Sequence, residues 1–183
     1  IELVDTEVPE PEAGEVRIRV DAAALGLPDV FMCRGSYAFR PELPFTPGQE
    51  VSGTVVAAGK DAETAVGERV MAVTSFFRGF GGLAEEALAL DGATYPVPAD
   101  MDPAEAACFA IPYHTAYIGL VTRGQIQPGE NLVVLGAAGG TGTAAIQLGR
   151  ALGARVIAVA AGPEKGALCR ELGAEVGIDH RES

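Results

Sequence analysis

Residues 132–142 read Leu-Val-Val-Leu-Gly-Ala-Ala-Gly-Gly-Thr-Gly, an apolar, β-forming run that empties into a cluster of glycines. Small and apolar residues then recur at helical spacing, with Ala144, Ala145, Leu148 and Leu152. A strand that ends in glycines and opens a helix aims backbone N–H groups and the positive end of a helix dipole at one point. That point suits a pyrophosphate. Set against G-x-G-x-x-G, Gly139 and Gly142 fill the second and third places and Ala137 stands in the first. Gly136, one residue early, can supply the tight turn. The bland alternative is a structural turn in some other α/β protein.

The next strand end bears on which dinucleotide. A site for NAD usually places a carboxylate about 20 residues past the glycines, where it binds the ribose hydroxyls. Here the stretch is Val159-Ala160-Ala161-Gly162-Pro163-Glu164-Lys165, with no carboxylate at the strand end. Small residues make room for a 2′-phosphate and a cation neutralises it, whereas a carboxylate would repel it. Lys165 therefore favours NADP(H). The alternative keeps Lys165 as a solvated lysine and gives the ribose to Glu164.

These residues need a βαβ frame. Pro128-Gly129 suits a turn before the first strand, and Gly153 stands where a helix C-cap belongs. Arg155–Val159 reads as a second buried strand, closing a unit of about 30 residues. Gly162-Pro163-Glu164 opens another helix, Leu168 and Leu172 share a face, and Gly173 ends it. Val176 and Ile178 suggest a third strand. A doubly wound sheet needs more strands than these three, so the expectation is a truncated domain within a longer protein. The first half has another texture. Val16, Ile18 and Val20 alternate with Arg17 and Arg19, a half-buried strand. Further strands are expected at 50–58, where Gly53 suggests a bulge or a close backbone approach, at 68–73 and at 85–90. Dense Pro and Gly between them imply a small, irregular β domain. Asp102-Pro103-Ala104-Glu105 carries an N-cap, a Pro at the first helical position and a capping-box Glu. This puts the seam near residue 108, with a β domain over 1–108 and the nucleotide-binding part over 109–183.

Composition narrows the function. The formal charge is −12, a poor match for nucleic acid, whose binding neutralises phosphates with Lys and Arg. No stretch approaches the ~18 uninterrupted apolar residues of a membrane span, and no charged-then-apolar leader opens the chain. The expected setting is soluble and cytoplasmic. Cys33, Cys108 and Cys169 lie far apart without a C-x-x-C pair, which argues against a disulfide framework and a structural zinc. With only His114 and His180 besides, no catalytic zinc set assembles, and no metal is expected.

Along its length the chain resembles the zinc-free branch of the medium-chain dehydrogenase/reductases, the NADPH:quinone oxidoreductase group. The matching segments come in the family's order. They are Pro11–Val16, Pro28-Asp29-Val30 with Arg34–Tyr37, Pro47–Gly53 against Pro-Gly-x-Glu-x-x-Gly, Gly81–Glu85 against Gly-Gly-x-Ala-Glu, Thr115-Ala116-Tyr117, and Gly136–Gly142. The resemblance implies a GroES-like β domain followed by an incomplete Rossmann doubly wound parallel sheet. In the zinc-dependent branch a metal-binding His precedes the Glu of the Pro-Gly motif; here Gln49 takes its place. A Cys ligand ahead of Asp29 and the cysteine-rich zinc lobe are absent too.

The same resemblance assigns roles. Thr115 lies beside the nicotinamide, Tyr37 stands at the substrate mouth, and both are the candidate catalytic residues. Gly139, Gly140 and Gly142 cradle the pyrophosphate of NADP(H), with Gly136, Ala137 and Thr141 completing the turn. Lys165 meets the 2′-phosphate. The family often has Tyr where this chain has His180, which can bond or pair with that phosphate; a solvated His is the alternative. It often has Asn just ahead of Pro28, where this chain has Gly26-Leu27. Three readings result: an NADPH-dependent reductase of quinones or α,β-unsaturated carbonyls acting on a small electrophile, an enoyl-thioester reductase of the same fold, and a cofactor-binding protein without turnover. The family commonly forms dimers, so a homodimer of the full-length protein is expected.

Overall fold

The computed structural model describes residues 2–39 and 41–182. It divides into two compact units between Ala110 and Ile111. The first unit is built on a closed four-stranded barrel of β1 (Glu15–Ala24), β2 (Glu50–Ala58), β3 (Arg69–Thr74) and β4 (Glu86–Pro96). All its ladders are antiparallel, and β4 closes it by pairing with both β1 and β3. The alternation read from sequence places Val16 and Ile18 inside, fully buried with Val51, Val55, Val70, Ala72, Ala87 and Ala89. Arg17 is half-buried and Arg19 exposed.

Two strands outrun their expected limits. β1 runs on to Ala24, and β4 passes through Asp91-Gly92, a turn signal in sequence, to reach Pro96. The bend there has a purpose. Residues 86–90 pair with β1, and residues 94–96 together with Ala89 pair with β3 across a register shift, so one strand joins both neighbours and closes the barrel. Asp91 fixes that stretch by accepting the N–H groups of Glu63 and Thr64, both at 3.0 Å. These bonds, the side chain of Thr64 first, hold its carboxyl below the usual range. Gly53 answers both sequence expectations. It pairs with Val20 where the β1–β2 register slips, and a Cβ on it would overlap the Arg19 carbonyl.

A short helix, α1 (Leu27–Cys33), precedes β2. Asp29 in its first turn is 2% exposed. Its carboxylate accepts the N–H of Gly26 at 2.9 Å and that of Gly48 at 3.0 Å, tying the helix to the start of β2. The helix begun by Asp102, α2 (Pro103–Ala107), is capped as expected, with Asp102 Oδ1 accepting the Ala104 N–H at 2.8 Å. It packs on the barrel: Ala106 and Ala107 are buried, and the Ser52 hydroxyl donates to the Pro103 carbonyl at 2.6 Å.

The second unit opens with α3 (Ala110–Tyr117), which runs on into a π-helical turn at Ile118–Arg123. It is a parallel sheet in the order β5 (Asn131–Leu135), β6 (Arg155–Ala160), β7 (Val176–Asp179). The crossovers are α4 (Gly140–Ala151) and α5 (Pro163–Glu171). Ile146, Val156, Ala158 and Cys169 form its core. The apolar run of β5 reads as a buried strand, but Val133 is 55% and Leu135 76% exposed. Among the described residues nothing packs over that face of the strand. No helix of the described residues is long and apolar enough to cross a membrane.

Because the atom that Gly53 would strike is backbone, the barrel cannot relax around an added methyl. Gly53→Ala is expected to lose about 3 kcal/mol of stability, at the upper end of overpacking costs, read as a lowered denaturant midpoint with an unchanged slope.

Candidate functional site

At the end of β5 the chain turns sharply at Gly136, whose φ is +61°. The turn is closed by backbone bonds. The Ala137 N–H donates to the Val159 carbonyl at 3.1 Å, and the Gly139 N–H donates to the Gly136 carbonyl at 2.9 Å. Ala137 is 0% exposed, with its methyl in the core of the unit. An alanine therefore serves in the first fingerprint place, because the strained backbone belongs to Gly136. Gly142 meets the third requirement: a Cβ on it would sit 2.6 Å from the Gly136 carbonyl oxygen and 2.7 Å from that of Ala137. Gly139 caps α4 in extended conformation, and Gly140 opens the helix. A Cβ on Gly140 would come no closer to a neighbour than 3.8 Å, from Pro112 Cγ, so this backbone lies open. The first N–H groups of α4 have no intrahelical acceptor. An approaching anion finds them bare.

These residues open onto a pocket of about 200 Å³ lined by Gly136, Ala138, Gly139, Val159, Ala160, Ala161, Lys165 and His180. The structure thus joins four residues singled out in the sequence, Gly136, Gly139, Lys165 and His180, though 44 positions separate the first from the last. Thr141 is exposed on the first turn of α4 and does not line the pocket. No carboxylate lines it either. The lining suits a phosphorylated ribose: small side chains at the end of β6 leave room, and a lysine and a histidine supply positive charge or donors.

Asp179, at the end of β7, immediately precedes His180 of the lining, and its oxygens are already engaged. Oδ2 accepts the Gly162 N–H at 2.9 Å, and the Arg181 guanidinium donates to both oxygens, at 2.8 and 3.1 Å. Arg181's side-chain bonds, and then its backbone N–H, hold the Asp179 carboxyl well below the usual range. The bond to Gly162 fastens the end of β7 to the N-cap of α5, the helix that carries Lys165. Asp179 belongs to none of the motifs read from the sequence. Its one signal there is an Asp at a strand end, two residues before an Arg.

The other candidates lie elsewhere. Thr115 is exposed on α3 in the second unit, outside the pocket lining. Tyr37 is half-buried in the loop after α1, in the first unit. Near it in sequence, Phe39 meets Phe76 edge to face at 6.5 Å, and Phe76 meets Phe77 at 5.9 Å. Gln49 is 5% exposed, and its Nε2 finds no hydrogen-bond partner. Among the described residues no group of three or more His, Cys, Asp or Glu is placed to hold a metal ion. Cys33 and Cys108 are exposed and Cys169 is buried, where burial pushes its thiol up.

A closed antiparallel barrel followed by a parallel sheet with a glycine turn defines a two-domain dehydrogenase/reductase architecture. Residues 12–99 match the alcohol dehydrogenase GroES-like domain, and residues 140–183 match the family described as zinc-binding dehydrogenase. The quinone oxidoreductase of Homo sapiens is 36% identical over 179 residues, 97% of this chain and 54% of that protein. The quinone oxidoreductase from Thermus thermophilus, solved alone and with NADPH, is 44% identical with a TM-score of 0.84, over 99% of this chain and 56% of that one. The CurK enoyl reductase is 28% identical with a TM-score of 0.85, over 96% and 54%. The chain belongs to the zinc-independent medium-chain dehydrogenase/reductase family, in its quinone oxidoreductase-like group. It spans about half the length of these relatives.

The Asp179 tie has a definite pH sign. Its pKa is depressed on folding, so the stability it lends is present above the ordinary Asp value of about 3.9. That stability is lost as pH falls towards the lowered value. Acid unfolding followed from pH 5 to 2 is expected to be steeper for the wild type than for Asp179→Asn, and equal slopes would refute the tie.

Proposed function

We propose that the full protein is an NADPH-dependent oxidoreductase that delivers a hydride to a quinone or an α,β-unsaturated carbonyl without using a metal. The observation that carries the reading is the pocket in which Lys165 and His180 face a glycine turn with no carboxylate between them. In this reading the N–H groups at the start of α4 bind the pyrophosphate, and Lys165 and His180 bind the 2′-phosphate. Ala137 and Gly142 keep the turn close to the helix, and Thr141 belongs to the bound first turn. Bound there, NADPH supplies the hydride, while the protein orients the reactants and excludes water. Thr115 is assigned to the nicotinamide end and Tyr37 to the acceptor mouth, on the resemblance of their segments to the family.

Gln49 holds the place of a zinc-binding His, so an alkoxide would lack a Lewis acid at that position. A conjugated acceptor asks for less. Charge arriving with the hydride spreads to an oxygen that hydrogen-bond donors can stabilise. The similarity to the CurK enoyl reductase favours a second reading, reduction of an enoyl thioester. Both readings take a small electrophile and no nucleic acid, and we place the whole protein in the cytoplasm as a homodimer.

NADPH oxidation by the full protein, followed at 340 nm against quinones, enones and enoyl thioesters, tests the class. Turnover of quinones or enones supports the first reading, and turnover confined to thioesters transfers it to the second. Removing the lysine tests the pocket. A charged hydrogen bond contributes about 1.5–3 kcal/mol, so Lys165→Ala is expected to weaken NADPH binding about 10- to 100-fold and to leave NADH binding nearly unchanged. Equal losses for both cofactors would sink the assignment. Metal analysis of the purified protein is expected to find far less than one zinc per chain.

A further inference from the structure

Gln49 carries a donor that the fold leaves unused. The residue lies just ahead of β2 and is 5% exposed, and its Nε2 is buried without a hydrogen-bond partner. Among the described residues, Arg17 Nε is the other buried side-chain nitrogen without a hydrogen bond, and it lies 3.3 Å from the Glu86 carboxylate. The Gln49 amide has no such charge beside it to compensate. A buried donor left unpaired is costly, and native structures keep few of them.

The backbone around Gln49 is held too firmly to turn and find a partner. The Gly48 N–H donates to Asp29 at 3.0 Å. The Gly48 carbonyl accepts both the Thr74 hydroxyl and the Gly82 N–H, each at 2.7 Å. The Gln49 carbonyl accepts the Thr74 N–H at 2.9 Å. Thr74 is itself buried. The bond from Asp29 also joins this backbone to α1, and the loop after α1 carries Tyr37. The donor is therefore fixed before any ligand arrives, and a fixed donor stabilises charge without reorganising when the charge appears. Resting on the reading that the full protein reduces a quinone or an enone, we propose that Gln49 is a catalytic residue. Its Nε2–H binds the carbonyl oxygen of the acceptor and stabilises the negative charge that hydride transfer puts there.

The acceptor takes up two electrons and one proton as a hydride from NADPH, which is thereby oxidised to NADP⁺. Its π electrons shift onto the carbonyl oxygen, giving an enolate from an enone or a hydroquinone anion from a quinone. A proton from water then neutralises the product. Between the two steps the oxygen holds a full negative charge, and its hydrogen bond to Nε2 is stronger than that of the neutral carbonyl. Gln49 thus binds the transition state better than the substrate, which raises kcat more than it lowers KM. An amide does not titrate, so it stays a donor at every working pH.

Steady-state kinetics of the full protein with a quinone and an enone test this. Gln49→Met keeps the bulk and removes the donor, and it is expected to lose about 100-fold in kcat with KM almost unchanged. Its unfolding midpoint should equal or exceed that of the wild type, because an unpaired donor has gone. Gln49→Asn, which draws the donor back by one carbon, should lose kcat as well. Binding of 4-nitrophenol reads the donor without turnover. On the wild type it should show its phenolate band below the pH at which it ionises in water, and on Gln49→Met it should not. Wild-type kcat in Gln49→Met overturns the proposal and leaves the NADPH-dependent reading intact. A lowered midpoint beside that kcat identifies a buried water as the partner of Nε2 and overturns it too. A wild type that reduces neither quinones nor enones overturns both.

Discussion

The distance between α4 and the carbonyls that end β5 governs the nucleotide-binding unit. Gly142 brings the helix down onto the oxygens of Gly136 and Ala137, closer than any side chain allows. Two turns later, Gly149 lets the same helix settle onto Leu132, where a Cβ would overlap the leucine's methyl group. Between them Ala144 and Ile146 are fully buried. The helix is therefore held at both ends against its strand, and its bare N–H groups keep a fixed position relative to the ends of β6 and β7. A parallel sheet brings these strand ends to one side. That is why a lysine after β6 and a histidine after β7 share a pocket with a turn after β5.

The barrel meets a related demand with buried polar groups. Glu15 is 2% exposed, yet its carboxylate meets Arg78, receives the Ser75 hydroxyl and accepts the Glu12 N–H. Hydrogen bonding to Glu15 is the main reason Arg78 holds its proton more tightly than usual. Asp29 does the same for α1 and β2. In both cases an acid is far from water and its oxygens are used to satisfy donors that the loops would otherwise leave unpaired. Loops as rich in Gly and Pro as these have few ladder bonds of their own, and these carboxylates replace them.

Local signals made much of this legible. The alternation at Val16–Val20, the glycine run before α4 and the Gly153 and Gly173 helix ends all act within a few residues, and the structure has them where the sequence put them. What the sequence concealed depends on distant partners. Asp91-Gly92 has the chemistry of a turn, but closure of the barrel kept it in a strand. The ties made by Asp29 and Asp179 were not legible because each reaches a backbone N–H far along the chain, at Gly48 and Gly162. In the site, spacing alone does not bring Lys165 and His180 together; the family resemblance put both at one place, and the strand order is the physical reason they line one pocket.

The strand order has one more effect. Among the described residues, β5 has a neighbour on one side only in the sheet β5-β6-β7, and Val133 and Leu135 on it are exposed. An edge of apolar residues with open backbone donors and acceptors is a template for another strand. Charge repulsion among copies carrying −12 acts at long range and is screened by salt. Strand addition acts on contact and is not. For this chain taken alone, Asn131–Leu135 is therefore one place where another strand can add, and added salt weakens the repulsion that opposes it.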